Sequence, residues 1–358
     1  HGLIATLSVS VLVAIGSALI ARQLPIWLGG GADIQHDASL YFLIYALSVP
    51  FLQLGILSSN MLKSSGNMQI PGILSVMMCV LDVCFNYLFI YIAGLGVPGA
   101  ALGTAVSIAI VSLTEAWFAF FRSSVLAFRL DKDRFVWMWS YIRNAFKIGS
   151  PIALQYLLMS SAQIVSTVIV APLGNFAIAA NTFAITAESL CYMPGYGIGD
   201  AATTLVGQSI GAGQYALCRS FAKMTVGLGM GIMAFMGVIM YIFAPEMIGL
   251  MTPVEEIRTL GTTVLRIEAF AEPMFAAAIV GNCICIGAGD TLKPSLMNLI
   301  SMWGVRLTLA AILAQSYGLQ GVWFAMAVEL TFRGSIFLAR LQWGKWMKPF
   351  DKKEEATH

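Results

Sequence analysis

The chain has 358 residues, 58% of them apolar and 11% charged, with a mean hydropathy of +0.82 and a formal net charge of +2. An ordinary soluble domain carries roughly 25% charged residues, so the composition excludes a water-soluble fold and points to an all-α polytopic membrane protein. The only histidines are His1, His36 and His358, and the six cysteines lie in or beside apolar runs, which removes imidazole metal sites and a disulfide scaffold.

Crossing a bilayer of ~30 Å takes about 20 apolar residues in a helix. Such runs cover 2–20, 39–62, 70–93, 98–121, 148–171, 177–207, 218–243, 261–286, 294–314 and 319–340, so ten spans are expected. The longest polar stretch between them, Arg122–Lys147, reads as a linker between an N-terminal bundle (1–121) and a C-terminal one (148–341), with a polar tail at 342–358. Six basic residues fall in that linker: Arg122, Arg129, Lys132, Arg134, Arg143 and Lys147. Lys345, Lys348, Lys352 and Lys353 follow the last span. The opposite side carries Arg22 and Arg258. Basic loops stay in the cytoplasm, which places residue 1, the linker and the C-terminus inside a cytoplasmic (plasma) membrane.

The chain repeats itself. SSGNMQIP (64–71) matches GAGDTLKP (287–294), placing Gly66 and Pro71 at an offset of 223 from Gly289 and Pro294; Pro50 and Pro273 share that offset. GLGVPGAA matches YGLQGVWF with one residue deleted. Spans 1–4 therefore recur as spans 7–10 in the same orientation, an arrangement of parallel repeats used by transporters. Spans 5 and 6 have no partner ahead of the first copy. The pattern predicts twelve spans in two pseudo-symmetric bundles of six, with roughly two spans' worth of chain, on the order of 70–80 residues, ahead of His1.

Carboxylates inside apolar runs are costly and mark functional sites by default. In span 3, Asp82 and Asn86 are four apart and share a helix face. They form either part of a cation or proton site or a polar packing seam. Span 5 has no acid; Gln155 and Gln163 are its strongest polar groups. Span 6 carries Glu188 and Asp200, more than three turns apart, flanking Pro194 and three glycines that should let the helix bend. These four line a candidate substrate cavity, or pair across packing seams. Span 8 places Glu268 and Glu272 one turn apart with Pro273 next, inside one apolar run. In the first copy, valine stands where Glu272 is while Pro50 is kept, so a kink is expected in both bundles and the carboxylate in one. Arg306, Glu329 and Arg333 read as structural ion pairs, and Glu115 as snorkelling toward its span's end. The methionines of span 7 (Met224, Met230, Met233, Met236, Met240) read as lipid-facing filler or an adaptable drug surface. GLGVPG fits a dinucleotide fingerprint literally but follows a membrane span and reads as a turn.

MPGYGIGDAATTLVGQSIGAGQ (193–214), the GAGDTLKP turn and WGVRLTLA with YGLQGVWFAMAVELTFRG (303–334) resemble the multidrug and toxic compound extrusion (MATE) transporters. The resemblance implies two six-helix bundles, a start at the family's third helix, and a monomer that is no enzyme. It also implies export of organic cations or amphipathic drugs in exchange for H⁺ or Na⁺, with no cofactor, metal or nucleic-acid partner. In archaeal-type members a carboxylate and an amide at the positions of Asp82 and Asn86 join a first-helix aspartate and a threonine matched by Thr104, with Asn60 a weaker match. Here the acid and amide are exchanged in order. NorM-type members use a seventh-helix glutamate, for which this chain has no counterpart, and a tenth-helix acid matched by Glu272, or by Glu268 one turn earlier. A flippase for lipid-linked saccharides is the alternative within the superfamily; it would place several arginines in the cavity, and Arg266, Arg306 and Arg333 are the intramembrane candidates.

Overall fold

Without water, every backbone N–H and C=O must be paired within the protein, which leaves helices for a chain this apolar. The computed structural model describes residues 1–27, 35–128, 138–344 and 346–347, and among them there is no strand. Contacts divide the chain into two compact units, His1–Asn144 and Ala145–His358. Residues 129–137, with Arg129, Lys132 and Arg134, and the tail basics Lys345, Lys348, Lys352 and Lys353 lie outside the described residues.

The first unit contains α1 (Gly2–Ile20), a single turn α2 (Leu24–Trp27), α3 (Gln35–Ser64), α4 (Gln69–Tyr87) and α5 (Gly96–Trp117). Leu88–Ile92 and Phe118–Arg122 continue α4 and α5 as π-helix. α3 is the hub, packed on α1 and α5, and α4 packs on α5. Small residues set the seams: a Cβ at Gly55 would meet Ser112, and one at Gly103 would meet Asn86. Leu12, Leu19, Val76 and Val83 point outward and are exposed, as lipid-facing residues are.

The second unit holds most of α6 (Trp139–Val170), then α7 (Asn175–Gly211), α8 (Tyr215–Gly249), α9 (Glu255–Ala269), α10 (Glu272–Gly287), α11 (Leu292–Leu299) and α12 (Thr308–Trp343), with π-helix over Ile300–Leu307. α6 starts at Trp139, so the last residues of the expected linker are helical. Ala177, Ala180, Ala184 and Ala187 make one flat face of α7 that packs against Met240, Ile248, Val264 and Trp323. The indole N–H of Trp323 donates to Asn181 Oδ1 at 2.9 Å. Met233 and Met240 are fully buried, so part of the methionine stripe of α8 is core, and only Met224 is strongly exposed.

Seven of the described helical stretches are long and apolar enough to cross a membrane, or eight if a bent pair is one span, against the ten expected. Two reasons for the difference are visible. α7, with Glu188, Asp200 and many small residues, is not among the seven. Leu292–Trp343 counts as one stretch of 52 residues; at 1.5 Å per residue it would be about 78 Å long, far beyond one bilayer. Gly318 breaks it with a backbone only glycine adopts readily, φ 57° and ψ −139°.

The repeat is built into both units at the level of backbone. Gly66 and Gly289 both have positive φ, 90° and 73°, as do Gly96 and its counterpart Gly318, 59° and 57°. Three residues after Gly318, Gly321 lies so close to the Leu313 carbonyl that no Cβ fits, and three residues after Gly96 a Cβ at Gly99 would stand 2.8 Å from Phe89 O. The two copies differ at the shared proline: α3 is helical through Pro50, whereas the second copy is broken between α9 and α10 with a bend of 60°.

Candidate functional site

Glu268 and Glu272 flank that break. Glu268 is in the last turn of α9 and Glu272 is the first residue of α10, followed by Pro273, which has no N–H to give the preceding turn. The chain turns through Ala271, whose N–H donates to Glu268 O at 2.8 Å. Both side chains are 0% exposed, and among the described residues none of their four carboxylate oxygens has a hydrogen-bond partner. α8 allows the break to sit close: a Cβ at Gly237 would lie 2.8 Å from Ala269 O and 3.2 Å from Glu272 Cβ.

Two further charges complete the cluster. Glu188, buried on α7, interacts electrostatically with both glutamates, and Arg306, in the π-helical stretch before α12, with Glu188 and Glu268. Arg306 thus belongs electrostatically with this group. Glu329 and Arg333 do pair, with Arg333 Nε 3.0 Å from Glu329 Oε1, although the directed hydrogen bond runs from Nη2 to Oε2 at 3.4 Å. Ser301 Oγ donates to Glu329 Oε1 at 2.6 Å. Arg333 also lies over the Phe275 ring at 5.7 Å, and Tyr192 meets the same ring edge-on at 5.6 Å. With Glu329 matched to Arg333, Arg306 is the positive charge set against Glu188 and Glu268. A buried carboxylate without a matching charge carries a desolvation cost of several kcal/mol.

The other expected cavity residues lie apart. Gln155 is half-buried and Gln163 exposed on α6, and Asp200 is exposed near Cys283, far along α7 from Glu188. Arg266 sits under Tyr241, its Nε donating to Tyr241 O at 3.2 Å, in an open aromatic groove with Phe270 and Phe324. All six cysteines are free thiols.

In the first unit, Asp82 and Asn86 share one face of α4, and Oδ1 of each is buried with no hydrogen-bond partner among the described residues. Asn86 packs against Gly103, next to half-buried Thr104. Asn60 is elsewhere, on a cavity of about 320 Å³ lined also by Lys63, Ser75, Ser112 and Glu115. Glu115 does not snorkel: it is buried, faces this cavity and interacts with Lys63.

The model of the MatE family matches residues 1–88 and 151–312. The chain belongs to the MATE family of transporters. It is similar to the probable multidrug resistance protein NorM of Thermotoga maritima, 27% identical over 323 residues, 88% of this chain and 69% of that one. It is also similar to the uncharacterized transporter YisQ of Bacillus subtilis, 24% identical over 94% of this chain and 75% of the relative. Its fold matches the MATE transporter VcmN of Vibrio cholerae in the bent form, with a TM-score of 0.84 at 18% identity, over 97% of this chain and 79% of that one. The fold also matches a MOP superfamily transporter from Pyrococcus furiosus, with a TM-score of 0.88 at 19% identity over 96% and 77%. As a MATE transporter the chain is a multi-pass membrane protein. Sequence reasoning offered Arg306 among the arginines that could face Glu188, and expected a kink at Pro273. It did not reach the π-helical stretch that carries Arg306, nor the full break at Ala269–Glu272, where two proline-bearing segments read alike.

Proposed function

We propose that this protein is a secondary antiporter of the cytoplasmic membrane that exports cationic or amphipathic small molecules in exchange for H⁺ or Na⁺. The observation that carries the reading is the pair of fully buried, unpartnered carboxylates at a broken span, with Glu188 beside them and one arginine for the three. A coupling ion that neutralises Glu268 or Glu272 removes the cost of a bare charge in hydrocarbon. Because the carboxylates flank the joint between α9 and α10, occupancy and the angle of that joint are linked, and each can bias the other. In the first unit Asp82, Asn86 and Thr104 supply oxygen atoms of the kind a hard cation takes. The similarity to probable multidrug resistance proteins supports drug-like cargo. A saccharide flippase is disfavoured because Arg333 is held by Glu329, Arg306 faces the glutamates and Arg266 lies in the aromatic groove. The test is ion-gradient-driven efflux of an organic-cation dye from proteoliposomes. An imposed gradient of H⁺ or Na⁺ should drive flux that Glu272→Gln abolishes; full flux in that variant rejects the assignment.

A further inference from the structure

At one end of the second unit, the start of α8 and the end of α12 enclose a cleft of about 660 Å³ that the carboxylate site does not use. Its walls are graded. On α8, Arg219 and Lys223 are one turn apart and exposed, while Ala222 and Val226 of the same wall are buried. On α12, Leu338 and Leu341 are half-buried, and Gln342 and Trp343 after them are exposed. Trp343 is 77% exposed. Trp346 folds back underneath, 3% exposed, its indole N–H donating to Leu341 O at 3.0 Å. A Cβ at Gly227 would meet nothing within 4 Å, so the cleft is open along this part of α8.

We propose that this cleft binds an anionic phospholipid, with Arg219 and Lys223 on the phosphate and the Val226–Leu338 walls on the upper acyl chains. The charge is complementary to a phosphodiester, and basic pockets between membrane helices are where such headgroups bind. The polar-to-apolar order of both walls matches the headgroup-to-chain order of a lipid, which a free phosphate would not use. An indole at the rim sits where tryptophan is favoured, at the headgroup level. Assigning the cytoplasmic leaflet rests on the orientation proposed from the basic loops; the binding itself does not.

The test uses the chain in phosphatidylcholine vesicles with a minor share of phosphatidylglycerol, bromine being placed on the acyl chains of one lipid at a time. Brominated phosphatidylglycerol should quench the tryptophan fluorescence severalfold beyond its share of the bilayer. The excess should disappear in Arg219→Gln/Lys223→Gln, whose exposed positions leave folding intact by thermal melting, and fall in Trp343→Phe. Quenching proportional to bulk composition, or an excess unchanged in the double variant, overturns the proposal. Release of the excess by inorganic phosphate at matched ionic strength would assign the site to a free anion instead. An excess seen only after residues 348–358 are removed would assign the cleft to the chain's own end. Either result overturns it.

Discussion

Gly237 of α8 touches the site through Glu272: a Cβ built on the glycine would stand 3.2 Å from Glu272 Cβ and 2.8 Å from the carbonyl of Ala269. The closest atom is backbone, so it cannot be relieved by a side-chain rotation. Gly237→Val is expected to push α8 off the break at an overpacking cost of about 1–3 kcal/mol. The check is thermal unfolding in detergent together with dye efflux. Gly227→Ala, on the same helix with open space around its Cβ, should leave both unchanged.

Glu272→Gln and Glu268→Gln replace an unpartnered buried acid by a neutral group of the same shape. Neither loses a hydrogen bond, because none is made among the described residues. Melting temperatures should stay level or rise, while ion-driven efflux falls by tenfold or more. A large loss of stability in both variants would show that the acids are structural, which the proposed coupling role does not allow.

How much of this was legible beforehand depends on the kind of signal. Span positions, the 223-residue repeat and the family resemblance rest on hydropathy and on glycine and proline, which act locally, and Gly66, Gly289, Gly96 and Gly318 have positive φ in both copies. Burial of Glu268 and Glu272 followed from their place in an apolar run. The direction of a side chain around its helix did not follow. Glu115 points into a cavity, and Met233 and Met240 into the core, because neighbouring helices decide which face is inward. The same holds for Asp290 and Arg340, fifty residues apart, which form an ion pair no spacing rule would suggest.

The Glu329–Arg333 pair is buried, with Ser301 as a second donor to the carboxylate. Removing one partner strands the other charge in low dielectric, a loss of about 3–5 kcal/mol. Glu329→Ala should therefore melt far below the parent protein. Glu329→Gln/Arg333→Met, which removes both charges, should recover most of the difference. A double variant as unstable as the single one would mean that Arg333 stabilises the fold by its contact with Phe275 and not by its charge.

Gly318 offers a test of the repeat as a backbone requirement. Its φ of 57° with ψ of −139° lies where an L side chain is strained, and it separates the two halves of a stretch otherwise continuous over Leu292–Trp343. Gly318→Ala should cost about 1–3 kcal/mol, or straighten the helix at a comparable cost in packing. Gly96→Ala, the counterpart at φ 59° in the first unit, should show a loss of the same sign and similar size. Gly16→Ala, inside α1 with nothing within 4 Å of its Cβ, should instead be neutral or stabilising, because alanine is the better helix former. Melting temperatures of the three variants decide it: equal shifts at all three positions would mean that glycine at 96 and 318 is not required by the backbone.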